Sequence, residues 1–295
     1  MKAPDEIWRL GEDRKKARVA KDFGEADRIR DHLLSLGWEI IDIGGEFELK
    51  PKLRYLEVAN LTGLKPAFDG AEIAIAMIVD EFTEDAVETV QSIRKFTNTP
   101  IYILCLAEVG VLVEVIDAST VVVRILDDCG WGQAANAILK VVSSQYVILM
   151  DPSTRFAADA VAPVFAQLQA GEFAAVGWRG GLINVEDEWR SVEDKGTGEV
   201  DVLFSYFLAL NRESALEVGG FNVRAFYYRN ADIEFSLRLR QAGGRLLQMD
   251  LPLVQARHHG YHDTDPEFRE VQSKKNYDRI LERFRGKNAI LCPRR

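Results

Sequence analysis

From residue 73 onward the chain alternates near-continuous apolar runs with helical patterns. Residues 73–79, Ile-Ala-Ile-Ala-Met-Ile-Val, are apolar at every position, which predicts a strand buried on both faces of a parallel sheet. A helical pattern over 84–95 follows, then strands at 101–106 and 120–125, a helix at 132–142 and a strand at 146–150. The second half predicts a helix at 157–170, strands near 174–178 and 202–210, and helices at 212–218 and 231–242. A strand near 245–250 and an amphipathic helix at 266–285 complete it. The apolar stretch 109–115 also has the length and β-branched content of a buried strand. Strands alternating with helices imply right-handed crossovers and a doubly wound α/β sheet. Ligands bind beyond the carboxyl ends of strands in such sheets, and Asp80 and Asp151 directly follow two of the apolar runs.

The first 50 residues follow a different pattern. Ala17, Ala20, Phe23, Ala26, Ile29, Leu33 and Leu34 recur at spacings of three and four within the charged stretch 7–36, which predicts helix. Gly37 reads as a helix stop, and 38–43 and 46–49 around Gly44-Gly45 read as a hairpin. Residues 1–50 thus form a small accessory unit. Residues 51–70, punctuated by Pro51, Gly63, Pro66 and Gly70, read as a linker, and 71–295 as the main domain.

Composition narrows the function. A chain of 295 residues with 47% hydrophobic residues buries a proper core. A net charge of −9 argues against general binding to nucleic acid or anionic lipid, because both need a basic surface. Cys105, Cys129 and Cys292 are too scattered to suggest a disulfide framework or a zinc knot. No run approaches the roughly 18 apolar residues of a membrane span, and the charged N-terminus leaves no room for a signal peptide. These features predict a cytoplasmic protein.

Three segments carry candidate chemistry. The run 146–154 is an apolar strand ending in Asp151-Pro152-Ser153, which also reads as a plain turn before a helix. Gly219-Gly220-Phe221 is followed by Ala231-Asp232-Ile233-Glu234-Phe235-Ser236-Leu237-Arg238-Leu239, where Asp232 also reads as an acid favoured by a helix dipole. Arg257-His258-His259-Gly260-Tyr261-His262 holds three of the four histidines, which suit ligands or a surface loop.

In this order the segments resemble the family 2 glycosyltransferases. In that family an Asp-x-Asp element ends a strand, and a Gly-Gly-Phe segment, an acidic pair opening a helix, and a histidine follow. Gly132-Gln133-Ala134-Ala135-Asn136 resembles the family's segment opening the preceding helix. The resemblance spans about 70–285 and implies a GT-A type fold with a mixed doubly wound sheet. The implied activity is that of a hexosyltransferase-like enzyme moving a sugar, with inversion, from a nucleotide-diphosphate sugar to an acceptor hydroxyl. A saccharide or cell-envelope glycan at the inner face of the membrane is the implied acceptor. Asp232 matches the catalytic base and Glu234 a residue orienting the acceptor. Asp80, Asn136, Asp151 and Ser153 match the donor side. Asp151 with His258 or His259 matches the site of a divalent metal, Mg or Mn. The sequence departs from the pattern at Ser153, which replaces the second acid, at Ala231, and at 105–108, where Glu108 is only a displaced acid. A non-catalytic sugar-nucleotide or protein-binding module with a degenerate metal site is therefore the alternative reading. Arg155, Arg224, Arg229 and Arg257 are further candidates to neutralise phosphate.

The stretch 14–31, with Leu33, Leu34, Gly37 and Asp42, is similar to the C-terminal region of cysteinyl-tRNA synthetases. None of that enzyme's catalytic motifs occurs here. The resemblance implies a helical pair docking a partner or RNA through residues 7–49, or a stable hairpin reused as an accessory unit. Its nearly balanced charges do not favour tight RNA binding.

Overall fold

The computed structural model describes residues 3–294, which divide into two compact units between Arg54 and Tyr55. In the first, α1 (Asp5–Val19) and α2 (Phe23–Ser35) form a helical hairpin, followed by the antiparallel pair β1 (Trp38–Ile43) and β2 (Glu46–Pro51). The helical stretch breaks at Lys21, whose φ is +61°, and Asp22 caps the second helix by accepting from the Glu25 amide. Ile7, Ile29, Leu33, Trp38 and Leu49 make its small core, and Arg14 clasps Asp42 through two hydrogen bonds of 2.8 and 3.2 Å.

The second unit is built on a nine-stranded mixed sheet. Its early elements are β3 (Leu56–Val58), β4 (Ile73–Val79), α3 (Thr83–Arg94), β5 (Ile101–Cys105), β6 (Thr120–Ile125), α4 (Trp131–Val141) and β7 (Tyr146–Met150). After these come β8 (Thr154–Phe156), α5 (Val161–Gln169), β9 (Ala175–Gly177), β10 (Gly180–Ile183), β11 (Val192–Glu193), β12 (Gly198–Val200), β13 (Val202–Leu203) and β14 (Phe207–Asn211). The chain ends with α6 (Arg212–Glu217), α7 (Ala231–Gln241), β15 (Leu246–Gln248), β16 (Leu253–Gln255), the short α8 (His259–His262) and α9 (Pro266–Phe284). The sheet order is β12-β15-β9-β14-β7-β4-β5-β6-β3, parallel from β7 to β3, with β14 antiparallel to both neighbours.

The apolar run of β4 is explained by burial on both sides. Ile75, Met77 and Val79 join one core with α3 and α5, while Ala74, Ala76 and Ile78 join the other with α4.

Three expectations need correction. The stretch 51–70 is not merely a linker, because β3 pairs in parallel with β6 at the sheet edge. Residues 110–115 form a 3-10 turn packed beside α3, entered through Gly110 at φ +51°, and not a strand. The strand expected over 202–210 is interrupted at 204–206, between β13 and β14. That interruption brings Ser205 and Tyr206 to the cleft described next.

Candidate active-site cleft

Strands β4 and β7 are adjacent and parallel, so Asp80 and Asp151 leave the same end of the sheet. Both line one cavity, together with Asp85, Ser205, Tyr228 and His258. An adjoining cavity is lined by Asp151, Ser205 and Tyr228 again and continues to Tyr206, Arg229 and Asp232. The two form one cleft, with Asp80 at one end and Asp232 at the other.

Asp151 is fixed locally. Its Oδ1 accepts from the Ser153 amide at 2.8 Å and from the Ser153 hydroxyl, while His258 Nε2 lies 3.0 Å from Oδ2. That last approach misses hydrogen-bonding directions, so the buried His258 Nε2 has no hydrogen-bond partner. Burial pushes the Asp151 carboxyl up, but His258 and the two Ser153 bonds outweigh it and hold the group below its usual range. Ser153 is buried, and its hydroxyl also accepts from Gln255 Nε2 at 2.7 Å. Its oxygen orients Asp151 and ties in β16, and the residue lines the same cavity as Asp80, Asp151 and His258.

The two adjacent histidines part company. His258 stacks on Tyr228 (5.2 Å between centroids) and meets Tyr206 edge-on. His259 turns away to the buried Asp85, with Nδ1 2.7 Å from its Oδ2, and stacks on Phe82. His259 thus pins the segment to the first turn of α3, and only His258 remains with Asp151 as a metal-ligand candidate. Among the described residues no group of three or more His, Cys, Asp or Glu side chains is gathered for a metal ion. Asp151 and the unsatisfied His258 Nε2 fit a divalent ion that takes its other ligands from diphosphate oxygens and water.

Asp80 stands exposed at the cleft mouth and accepts from the Glu81 amide at 3.0 Å. The protein crowding it raises its carboxyl, opposed by the amides of Asp80 and Glu81, and its open surface lets water moderate the effect.

Asp232 lies in the first turn of α7, entered through Asn230 at φ +70°. Its Oδ2 accepts from the Ser205 amide (2.8 Å) and hydroxyl (3.1 Å), and Oδ1 from the Ile233 amide (2.9 Å). The helix-end position suggests a lowered proton affinity, but burial prevails over these three bonds and raises the carboxyl. The helix beneath it is gripped on two sides. Phe235 and Leu239 enter the sheet core, while Ile233 and Leu237 pack with Ile280 and Phe284 of α9.

Two other expected site residues lie outside the cleft. Asn136 offers Nδ2 to the Phe221 carbonyl (2.8 Å) and accepts from the Phe221 amide (2.7 Å), holding the Gly219-Gly220-Phe221 turn. A Cβ on Gly220, where φ is +65°, would lie 2.1 Å from Asn136 Oδ1, so glycine is required there. Glu234 is buried, accepts from Asn222 Nδ2 at 3.0 and 2.9 Å, and sits 4.0 and 3.8 Å from Arg279 and Arg283. It joins the glycine turn, α7 and α9 and is not on the cleft lining.

Among the arginines, Arg155 pairs with Glu88 and Arg257 with Asp263, whereas Arg229 lines the cleft. Glu108 pairs with Arg124, away from the cleft lining. Sequence reasoning missed Asp85, Ser205, Tyr206 and Tyr228. Of these only Tyr227-Tyr228, an aromatic pair just ahead of the Asp232 helix, left a visible signal.

The sheet order and the cleft at its carboxyl end define the GT-A type fold. Solved structures share it. The chain aligns with the crystal structure of GalNAc-T7 with UDP, GalNAc and Mn2+ at 17% identity and a TM-score of 0.56, covering 73% of this chain and 48% of that one. It aligns with the mannosyltransferase PcManGT from Pyrobaculum calidifontis in complex with GDP-Man and Mn2+ at 15% identity and a TM-score of 0.51, covering 79% and 74%. The chain thus spans about half the length of the first. No protein-family model matches the chain, and no curated protein does. No helix among the described residues is long and apolar enough to cross a membrane.

Proposed function

We propose that the protein is a glycosyltransferase that moves a sugar from a nucleotide-diphosphate sugar to an acceptor hydroxyl with inversion. The observation that carries this reading is one cleft with Asp151 and His258 on one wall and a buried, hydrogen-bonded Asp232 on the other. Both solved structures named above are of proteins whose complexes hold a nucleotide or nucleotide sugar with Mn2+. The fold alone does not fix function, so the residues must carry the chemistry.

The donor diphosphate would lie against Asp151 and His258, with Asp80 at the nucleotide end. A divalent cation held by Asp151 and His258 would, when bound, stabilise charge on the departing diphosphate. From the Asp232 end, the acceptor oxygen attacks the anomeric carbon as the bond to the diphosphate oxygen breaks, and Asp232 takes the hydroxyl proton. Burial suits Asp232 to this task by making it a stronger base than an exposed carboxylate, provided it is ionised at the working pH. A saccharide acceptor, of the kind found in cell-envelope glycans, fits the aromatic lining of that end.

Thermal-shift screening against UDP-, GDP-, dTDP- and CDP-sugars, with and without manganese, tests the donor side by mass action. A selective shift followed by sugar transfer is expected. One observation favours a binding module without turnover: the position of the second acid is Ser153, whose hydroxyl is already engaged. Selective donor binding with no transfer to any acceptor or to water would decide for that reading, and no donor binding would sink both.

A further inference from the structure

Beyond Asp232 the cleft does not end. A further cavity shares Val192, Phe204 and Tyr206 with it and runs on to Trp178, Arg179 and Gln255. The result is a trough spanning two adjoining cavities, with aromatic side chains Phe204, Tyr206 and Tyr277 on its lining and the buried Trp178 beneath Arg179. Such faces provide apolar surface for the carbon skeleton of a sugar, while the polar edges bind its hydroxyls.

The charge of the trough is the second observation. Arg179, Arg190 and Arg229 line it and are exposed. Arg179 lies over the Trp178 ring at 4.4 Å, and Arg229 lies over Tyr261 at 5.0 Å while donating to its hydroxyl at 3.3 Å. Neither has a carboxylate partner among the described residues. Arg190 has one, Glu188 at 3.5 Å. Three acids share these linings: Asp151 and Asp232 take the hydrogen bonds described above, and Asp194 is occupied by the Gly196 amide at 2.8 Å and Gln248 Nε2 at 3.3 Å. Aromatic stacking leaves a guanidinium's in-plane N–H groups free, and their fork matches carboxylate or phosphate oxygens.

We propose that the acceptor is an oligosaccharide bearing negative charge, seated in this trough with its sugar rings on the aromatic faces and its anionic groups at Arg179 and Arg229. The proposal rests on the reading of the Asp232 end as the acceptor side. The anion's source, a uronic acid or a phosphorylated sugar, is separated by the test.

Calorimetric titration of the parent protein without donor would compare tetragalacturonate, the neutral tetrasaccharide galactotetraose, a phosphorylated galactotetraose and monomeric galacturonate. Charge-assisted hydrogen bonds predict that at least one anionic tetrasaccharide binds about tenfold or more tighter than the neutral one, and that the monomer binds much more weakly. In Arg179→Gln/Arg229→Gln, both exposed changes, the preference for charge should vanish with the fold and thermal midpoint retained. Equal binding of charged and neutral tetrasaccharides, absence of binding by either anionic one, or an undiminished preference in the double variant would overturn the proposal. The donor screen reads the other end of the cleft. Intact donor binding beside a failed titration therefore refutes the acceptor alone.

Discussion

Replacing Ser205 by alanine tests the base directly. The Ser205 hydroxyl donates to Asp232 Oδ2 at 3.1 Å, while the Ser205 and Ile233 amides donate at 2.8 and 2.9 Å and would remain. A hydrogen bond to a charged group contributes about 1.5–3 kcal/mol, and the length of this one puts it at the lower end. Losing it should raise the Asp232 carboxyl further above a value that burial has already raised, and about 1.4 kcal/mol of lost stabilisation is a factor of about ten in the proton equilibrium. A base must be ionised to work, so the acid limb of the kcat/KM profile should move to higher pH. Rates well above that limb should change little, and at a pH on the limb transfer should fall about tenfold. Ser205→Thr, which keeps a hydroxyl, should restore the profile. The assay is a pH series of transfer with the donor found by the thermal-shift screen, whose shift Ser205→Ala should leave unaltered. An acid limb that does not move would refute the assignment of Asp232 as the proton acceptor, even if the rate fell.

Asp232→Asn should lower transfer by about 10²- to 10⁴-fold, the range for loss of a general base, with the donor-induced thermal shift intact. Its stability should change with pH in a defined direction. The raised carboxyl makes the folded chain hold a proton that the unfolded chain releases, so stability present below the unfolded value is lost as pH rises through the folded one. Melting curves should therefore show Asp232→Asn gaining on the parent from acid to neutral pH, and a difference constant with pH would contradict the cause given. Gly220→Ala puts a Cβ 2.1 Å from Asn136 Oδ1 at a positive φ, so denaturant titration should find a loss on the order of 2–3 kcal/mol or more. Glu234→Gln places an amide against Asn222 Nδ2 and removes a buried charge between Arg279 and Arg283. It should cost about 1–3 kcal/mol of stability with kcat largely kept, whereas unchanged stability with a collapsed kcat would return Glu234 to the acceptor site.

The sheet and the two strand-end acids were legible because burial on both faces leaves its mark on every residue of a strand, as in 73–79 and 146–150. What failed was the reading of single polar residues. Asn136 and Glu234 are polar residues on helices, and nothing in one sequence distinguishes a side chain facing a ligand from one satisfying a buried turn. The outcome depends on whether the 219–222 loop folds back over α4 and α7, a tertiary event. Adjacent His258 and His259 have the same chemistry, and only the local backbone sends one to Asp151 and the other to Asp85. Ser205 escaped notice because periodicity carried the strand straight through 204–206. The break there depends on β14 turning to pair with β7 and β9.

The corrected placements also clarify the proposed chemistry. A base must be held to within fractions of an ångström, and the residues that left the active-site roster supply that precision at a distance. Asn136 and Gly220 fix the turn before α7, Glu234 joins that turn to α7 and α9, and the helix carrying Asp232 is buried between two cores. The opposite wall is built otherwise. His258 belongs to a half-exposed segment pinned by His259 to the buried Asp85 and by Arg257 to Asp263 at the surface. The proposed transfer would need this asymmetry: its proton acceptor would stay rigid through every turnover, while the wall proposed for the diphosphate would release one nucleotide and admit the next. The buried setting of α7 fits a base that does not move in the proposed transfer, and the half-exposed segment carrying His258 fits a donor that exchanges.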